Sequence, residues 1–349
     1  MLWCLERRPE SFEGEIQKQM SCKVLIPIND QEAALYSLES AMARKWPDGA
    51  QFMLMTVVED LAATVPASRA VHKEVLAAEQ AEYMEYMKGW IERLRESLSI
   101  VFPDTSTEVN SGEICEKILE TAAHWGADYI ILGSHEFALT SRLALGSIAS
   151  RILTHAPCTV EAVRFRQLPT LLSEGMPITP EKIRELACEP PRRVLVATDL
   201  SAHSAAAVDW VSGGSWRKGT EIRLVTISLS NRRESAVVEL HSENKSFLAE
   251  EKYHRLIEDD VRVLGKRIRD AQSHCKVDAY VLQAQVVSDA IAEFSQEWQA
   301  DLVVVGAQGA GRTVSSRIGS NAISIMDKLQ CSVIAVKKTE NEPVYFSWY

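Results

Sequence analysis

The sequence predicts an α/β fold built twice: two tandem doubly wound, mainly parallel five-stranded sheets. Three observations predict it. Short β-branched runs alternate with helical patterns along the 349 residues, the order of parallel strands joined by crossover helices. The runs are apolar nearly throughout, as in strands covered on both faces. Finally, the second half of the chain repeats the first. WGADYIILGSHEFALTSRLALGSIASRILTHAPCTVEAVR (125–164) aligns without a gap with WQADLVVVGAQGAGRTVSSRIGSNAISIMDKLQCSVIAVK (298–337), at an offset of 173. The matches include Trp125/Trp298, Ala127/Ala300, Asp128/Asp301, Gly133/Gly306, Thr140/Thr313, Gly146/Gly319, Ser147/Ser320, Cys158/Cys331 and Val163/Val336. KVLIPINDQEAALYSLESAM (23–42) likewise parallels RVLVATDLSAHSAAAVDWVS (193–212). A period near 170 residues is a duplicated domain, since solenoid repeats run to roughly 20–50 residues.

Each copy predicts the same elements in order. A β-branched strand (24–28; 194–198) ends at Asn-Asp or Asp and feeds an Ala-containing helix. A second strand follows (51–58; 221–228), then a variable stretch and a long charged helix (about 69–99; about 246–274). A third strand (105–109; 276–282) leads to an amphipathic helix (115–124; 288–298). Around the first of these, Ile114, Ile118, Leu119 and Ala122 fall on one face. A fourth strand (129–132; 302–305) runs into a glycine loop. A helix and a last strand (159–163; 332–336) close the unit.

The domains are expected at 21–166 and 192–338, with tails at 1–20 and 339–349. Residues 167–191, which hold five prolines, read as the linker. A short helix is expected at 179–188, with Thr179 suited to the N-cap and Pro180 to the first helical position. The terminal aromatic cluster YFSWY is expected to pack on a domain or a partner.

Composition excludes several classes. With 46% hydrophobic and 25% charged residues the chain reads as a soluble globular protein. No apolar run approaches the ~18 residues of a membrane helix. The N-terminus carries acids and no apolar core, unlike a signal peptide, so the cytoplasm is the expected compartment. The seven cysteines are scattered singly, without metal spacing, and read as reduced thiols. A net charge of −10 argues against nucleic-acid or anionic-membrane partners. The charge is uneven. Residues 21–166 hold 13 Lys/Arg and 20 Asp/Glu, whereas residues 192–338 hold 20 and 18. The second copy is therefore the better candidate for an anion.

Its glycine loop reads Gly306, two residues, Gly309, nine residues, Gly319, Ser320. Gly306 and Gly309 let backbone N–H groups approach a ligand, and such concavities bind anions. Gly319-Ser320 open a helix whose N-terminus favours phosphate. Ser320 adds a hydroxyl, Asn321 extends the first turn and Arg312 could add a charge-assisted contact. Asp199, at the carboxyl end of the first strand, could accept from a ribose hydroxyl or an adenine amine across the switch point. Spacing alone leaves turn and cap geometry an equal reading.

Strand order, the Asp after the first strand and the G-x2-G-x9-G-[ST] spacing together resemble the universal stress protein family. The resemblance occurs twice, over about 290 of 349 residues. It implies a Rossmann-like fold similar to the adenine nucleotide alpha hydrolases. In the family's ATP-binding branch this loop holds the phosphates, which implies those roles for Gly306, Gly309, Gly319 and Ser320. Asp199 matches the family's Asp. The residue after the second strand, whose backbone meets the adenine, maps most nearly to Ile227. The implied ligand is ATP, alone or with Mg2+, and the implied role is a stress-response or signalling module.

The first copy departs from the pattern. Glu136 stands where the second glycine belongs and Asn29 where the Asp belongs, although Gly133, Gly146 and Ser147 remain. A carboxylate beside phosphates in a partly desolvated site should cost a few kcal/mol, roughly a hundredfold in affinity. This copy is expected to bind ATP poorly or not at all, unless Glu136 points to solvent. Val211-Ser212-Gly213-Gly214-Ser215 is similar to the SGG loop of related ATP pyrophosphatases but follows a helix, so it reads as a helix C-terminus. His203 reads as a polar surface residue. An enzyme would need a positioned base and a further acid near the γ-phosphate. Asp199 is the one acid so placed, which favours binding, with a weak ATPase or a ligand-free scaffold as alternatives. The two copies are expected to pair through 159–163 and 332–336 around a pseudo-twofold axis. Association of whole chains into a homodimer is left open.

Overall fold

The computed structural model describes residues 22–29, 32–60, 70–133, 145–164, 190–201, 204–229, 243–307, 319–337 and 345–348. The first copy forms β1 (Lys23–Pro27), α1 (Glu32–Met42), β2 (Arg44–Lys45), β3 (Gln51–Val58), α2 (Ala70–Leu98), β4 (Thr105–Ser111), α3 (Ile114–Trp125), β5 (Tyr129–Gly133), α4 (Ser147–His155) and β6 (Thr159–Val163). The second forms β7 (Arg193–Ala197), α5 (Ala205–Gly213), β8 (Glu221–Leu229), α6 (Glu243–Ala271), β9 (Lys276–Ala284), α7 (Val287–Glu297), β10 (Leu302–Gly306), α8 (Ser320–Lys328) and β11 (Ser332–Val336). A short β12 (Ser347–Trp348) ends the described chain. The 167–191 linker, with its expected helix at 179–188, lies almost wholly outside the described residues.

The two expected five-stranded sheets are halves of one ten-stranded sheet, in the order β4-β3-β1-β5-β6-β11-β10-β7-β8-β9. Within each half every pairing is parallel. At the centre β6 and β11 pair antiparallel, with Val160 opposite Ala335, Glu161 opposite Ile334 and Ala162 opposite Val333. An apolar edge strand left open is a template for association. Here each copy covers the other's edge.

The near-continuous apolar strands face two helical layers. Val24, Ile26, Phe52 and Leu54 join one buried cluster with residues of α1, α2, α5 and α6. Leu25, Ile130 and Val160 turn to the other, with residues of α3, α4, α7 and α8. The period of two along each strand sorts the side chains. The long helices show the matching helical period. Met87, Ile91 and Leu94 are buried on α2, and Ile257, Val261 and Ile268 on α6, a stripe at i, i+4, i+7 and i+11 whose gap on α6 is filled by the partly buried Leu264.

The repeated Trp-x-Ala-Asp has a structural role. Asp128 accepts from the Lys23 N–H at 2.9 Å, and Asp301 from the Arg193 N–H at 2.9 Å. Each ties the start of the fourth strand to the start of the first. Two further bonds cross between the copies. The Arg164 N–H donates to Ser332 Oγ at 2.9 Å, and the Lys337 N–H to Thr159 Oγ1 at 3.3 Å. Thr159 and Ser332 are the same position of the repeat, as are Arg164 and Lys337, so these bonds are related by the pseudo-twofold axis.

Candidate functional site

In the second half β7 lies between β10 and β8. The chain leaves β7 for β8 on one side and later returns to β10 on the other. The crevice beyond the carboxyl ends of β7 and β10 is therefore the point where strand order reverses, the place where open α/β sheets bind ligands. Val305 pairs with Ala197, which sets Gly306 at the crevice on one side and Asp199 on the other.

Asp199 is exposed at the head of a tight turn. Its Oδ1 accepts from the Ser201 N–H at 3.0 Å. Leu200 has a φ of 62°, a left-handed conformation that costs a non-glycine residue roughly 1–2 kcal/mol. Hydroxyl groups hold this turn. Thr198 Oγ1 accepts from the Leu200 N–H at 3.1 Å and lies 2.8 Å from Ser204 Oγ. The Ser204 N–H donates to Ser201 Oγ at 3.1 Å. Sequence reasoning missed Thr198, Ser201 and Ser204, although the clustered hydroxyls of TDLSAHS were a signal for a side-chain-stabilised turn.

Ile227 lies inside β8, because that strand runs on to Leu229. The expected strand, 221–228, already contained it, so the family's position after the strand maps here onto a residue within the strand. Its position still bears on the crevice. The Thr198 N–H donates to the Val225 carbonyl at 3.0 Å, so Val225 directs its backbone toward β7. Two residues on, the Ile227 backbone directs itself the same way, past the end of β7 at Ala197. The strand continues because β9 pairs with it as far as Leu229↔Ala284.

The glycine loop leaves and re-enters at fixed points. Gly306 ends β10, and the Ala307 N–H donates to the Val336 carbonyl at 2.8 Å. The Gly319 N–H donates to the Ala307 carbonyl at 3.0 Å, which sets the start of α8 directly beyond β10. Gly319 is its N-cap, with φ −65° and ψ 147°, and no side chain among the described residues caps the helix. No acidic residue lies in its first turn, so the field of the uncapped N–H groups there favours an anion. Ser320 opens α8 and Asn321 follows, exposed in the first turn. Gly309 and Arg312 lie outside the described residues, as do His203 and Glu136. Gly213 and Gly214 end α5, and the Gly214 N–H donates to the Trp210 carbonyl at 3.0 Å.

In the first copy Gly146 caps α4 with φ −58° and ψ 153°, again without a side-chain cap. The loop exits of the two copies are alike, and Asn29 is exposed where Asp199 stands. The hydroxyl turn is not repeated, for Ile28, Gln31 and Ala34 occupy the positions of Thr198, Ser201 and Ser204. Among the described residues no group of three His, Cys, Asp or Glu is placed to hold a metal ion.

The universal stress protein family profile matches residues 20–164 and again 191–337, well over half of the chain. The chain belongs to the universal stress protein family. It carries two such domains in tandem. It is 25% identical over 154 residues to universal stress protein Sll1388 of Synechocystis, a stretch covering 41% of this chain and 97% of that protein. The fold is similar over nearly the whole length to a universal stress protein from Archaeoglobus fulgidus (TM-score 0.55, 17% identity, 92% of this chain and 97% of that one). It is also similar to a protein of unknown function from Pseudomonas aeruginosa PAO1 (TM-score 0.52, 13% identity, 91% and 93%). No described helix is long and apolar enough to cross a membrane.

Proposed function

We propose that the second universal stress protein domain binds ATP at the β7–β10 crevice and that the chain acts as a nucleotide-responsive stress module. The observation that carries the reading is convergence at one switch point. Asp199, the Ile227 backbone, Gly306 and the uncapped start of α8 all meet the same crevice. In this reading Asp199 accepts from the ribose or the adenine, the Ile227 backbone meets the adenine edge, and Gly306, Gly309, Gly319 and Ser320 hold the phosphates. Arg312 and Asn321 add contacts to the phosphates. Mg2+ would enter with the nucleotide, screening phosphate charge. The first domain, with Glu136 and Asn29 at the matching positions, serves as a partner fold and not as a second site.

Calorimetric titration of ATP into the wild-type chain and Gly309→Glu tests this. The wild type is expected to bind one nucleotide per chain, and the substitution to weaken binding roughly a hundredfold. Equal binding by both would remove the loop from the site. Phosphate release followed over hours distinguishes a binder, which releases none, from a slow ATPase.

A further inference from the structure

The last described residues of the chain lie on the pseudo-twofold axis itself. Ser347 pairs antiparallel with Lys45 and forms a parallel bridge with Ser215. Lys45 and Ser215 are one position of the repeat, at the offset of 170 that relates β1 to β7. A single strand thus joins equivalent backbone segments of both domains. The Trp348 N–H donates to the Ser215 carbonyl at 3.0 Å, and the Ser215 N–H to the Phe346 carbonyl at 3.2 Å.

An axis that relates two similar walls cannot be matched symmetrically by one directional strand. The walls have diverged to receive it. On the first, Arg44 lies under two rings of the strand, 4.3 Å from the centroids of both Phe346 and Trp348. On the second, the matching residue is Gly214, next to Gly213. A Cβ on Gly213 would lie 2.2 Å from Tyr345, and the three atoms nearest to it all belong to that ring. Phe346 is buried between the domains, 4.9 Å from the Trp46 ring and 5.2 Å from that of Trp210. The fit has one defect. Among the described residues Trp348 Nε1 is buried without a hydrogen-bond partner, a cost that weakens the bound strand.

We propose that this groove is a strand-binding site for an extended peptide with aromatic residues two apart, and that the chain's own Tyr345–Trp348 is its displaceable occupant. Backbone pairing supplies the strand contacts, and the Arg44–Phe346–Trp46 stack supplies selectivity, as in other strand-addition sites. The tethered segment acts at high effective concentration and so excludes competing peptides.

The test uses full-length chains and a fluorescein-labelled peptide of residues 343–349, PVYFSWY, read by anisotropy. Trp348→Ala weakens the tethered occupant while leaving Phe346 in place, and this chain is expected to bind the peptide at least tenfold more tightly than the wild type. Adding Gly213→Leu, which fills the space of the Tyr345 ring, should cancel that gain. A peptide with Phe346→Ala should bind at least tenfold more weakly than PVYFSWY. Urea unfolding of each chain verifies that it is folded. Equal affinity of wild type and Trp348→Ala, no binding to either, or indifference to Gly213→Leu would overturn the proposal. A Phe346→Ala chain, if it folds, should repeat the ordering seen with Trp348→Ala.

Discussion

Glu161 and Ile334 face each other across the β6–β11 pair, and they are the same position of the duplicated sequence. Two copies of the first domain arranged in this way would bring two buried carboxylates together. Isoleucine in the second copy leaves one, and the first copy neutralises it. Arg44 pairs with Glu161 at 2.5 Å, their side chains 0% and 2% exposed. Ser40 Oγ and the Tyr129 hydroxyl donate to the two carboxylate oxygens at 2.7 and 2.8 Å. At this position of the interface only the first copy carries charged side chains.

Breaking this pair should be costly. Glu161→Ile, which copies the second domain, leaves Arg44 buried without a counter-charge and should destabilise by about 3–5 kcal/mol. Arg44→Met in the same chain should recover most of that loss, because the uncompensated charge is gone. Urea unfolding of the two single variants and the double variant measures the coupling. Additive losses would show that the pair is not coupled.

Stability should fall at alkaline pH. Burial pushes the Cys158 thiol from its ordinary 9.0 up to about 12, with the charge of Asp128 adding to the shift. Cys22 is raised for the same two reasons. Burial, then the charge of Glu161, lifts the Tyr129 hydroxyl well above its ordinary 10.0. The unfolded chain releases these protons from about pH 9 upward while the folded chain keeps them. The unfolded state then binds fewer protons, so stability declines as pH rises. Each group can contribute up to about 1.4 kcal/mol per pH unit. Urea midpoints should be level to about pH 8 and drop by pH 10.5, with a shallower drop in Cys158→Ala.

Gln299→Gly should stabilise the chain. Gln299 ends α7 with a φ of 56°, where the first copy has Gly126 with a φ of 71° at the end of α3. Both positions serve the same turn, in which Ala127 bonds back to Ala122 and Ala300 to Ser295, each at 2.8 Å. Removing the Cβ relieves left-handed strain. The Gln299 bond from Arg193 is exposed and weak. A gain of up to about 1 kcal/mol is expected in urea or thermal unfolding. A loss would show that the side chain outweighs the backbone.

Restoring the first copy's pattern should create a second site. Asn29→Asp with Glu136→Gly gives that domain the acid and the loop glycine of the second, next to an α4 start already shaped like that of α8. Calorimetry should show stoichiometry rising from one toward two ATP per chain. A single site would place the decisive difference in the Thr198–Ser204 turn, which the first copy does not repeat.

Much of the fold was legible because short-range patterns carry it. The stripe of Met87, Ile91 and Leu94 and the apolar run Val303–Val304–Val305 need no partner to declare helix and strand. Strand lengths were less legible. β4 and β9 each run two residues beyond expectation, since a strand lasts as long as its neighbour pairs with it. The crevice residues Asp199, Gly306 and Gly319 were visible as a turn acid and punctuating glycines. The hydroxyl scaffold behind Asp199 was not, because serine and threonine serve many turns.

The sequence by itself determined the duplication, the family, the alternation of elements and the positions at which the two glycine loops differ. These follow from local periodicity and from comparing the chain with itself. Only the tertiary structure decided the antiparallel register in which the last strands pair, that Glu161 needs Arg44, and that Ser347 lies between Lys45 and Ser215. Those relationships join residues more than 100 positions apart, and they arise from the pairing of edge strands and from burial. Neither Arg44 nor the terminal YFSWY carries a local pattern that names its partner. Their contacts exist because the two copies meet around an axis, and the axis is a property of the packed pair.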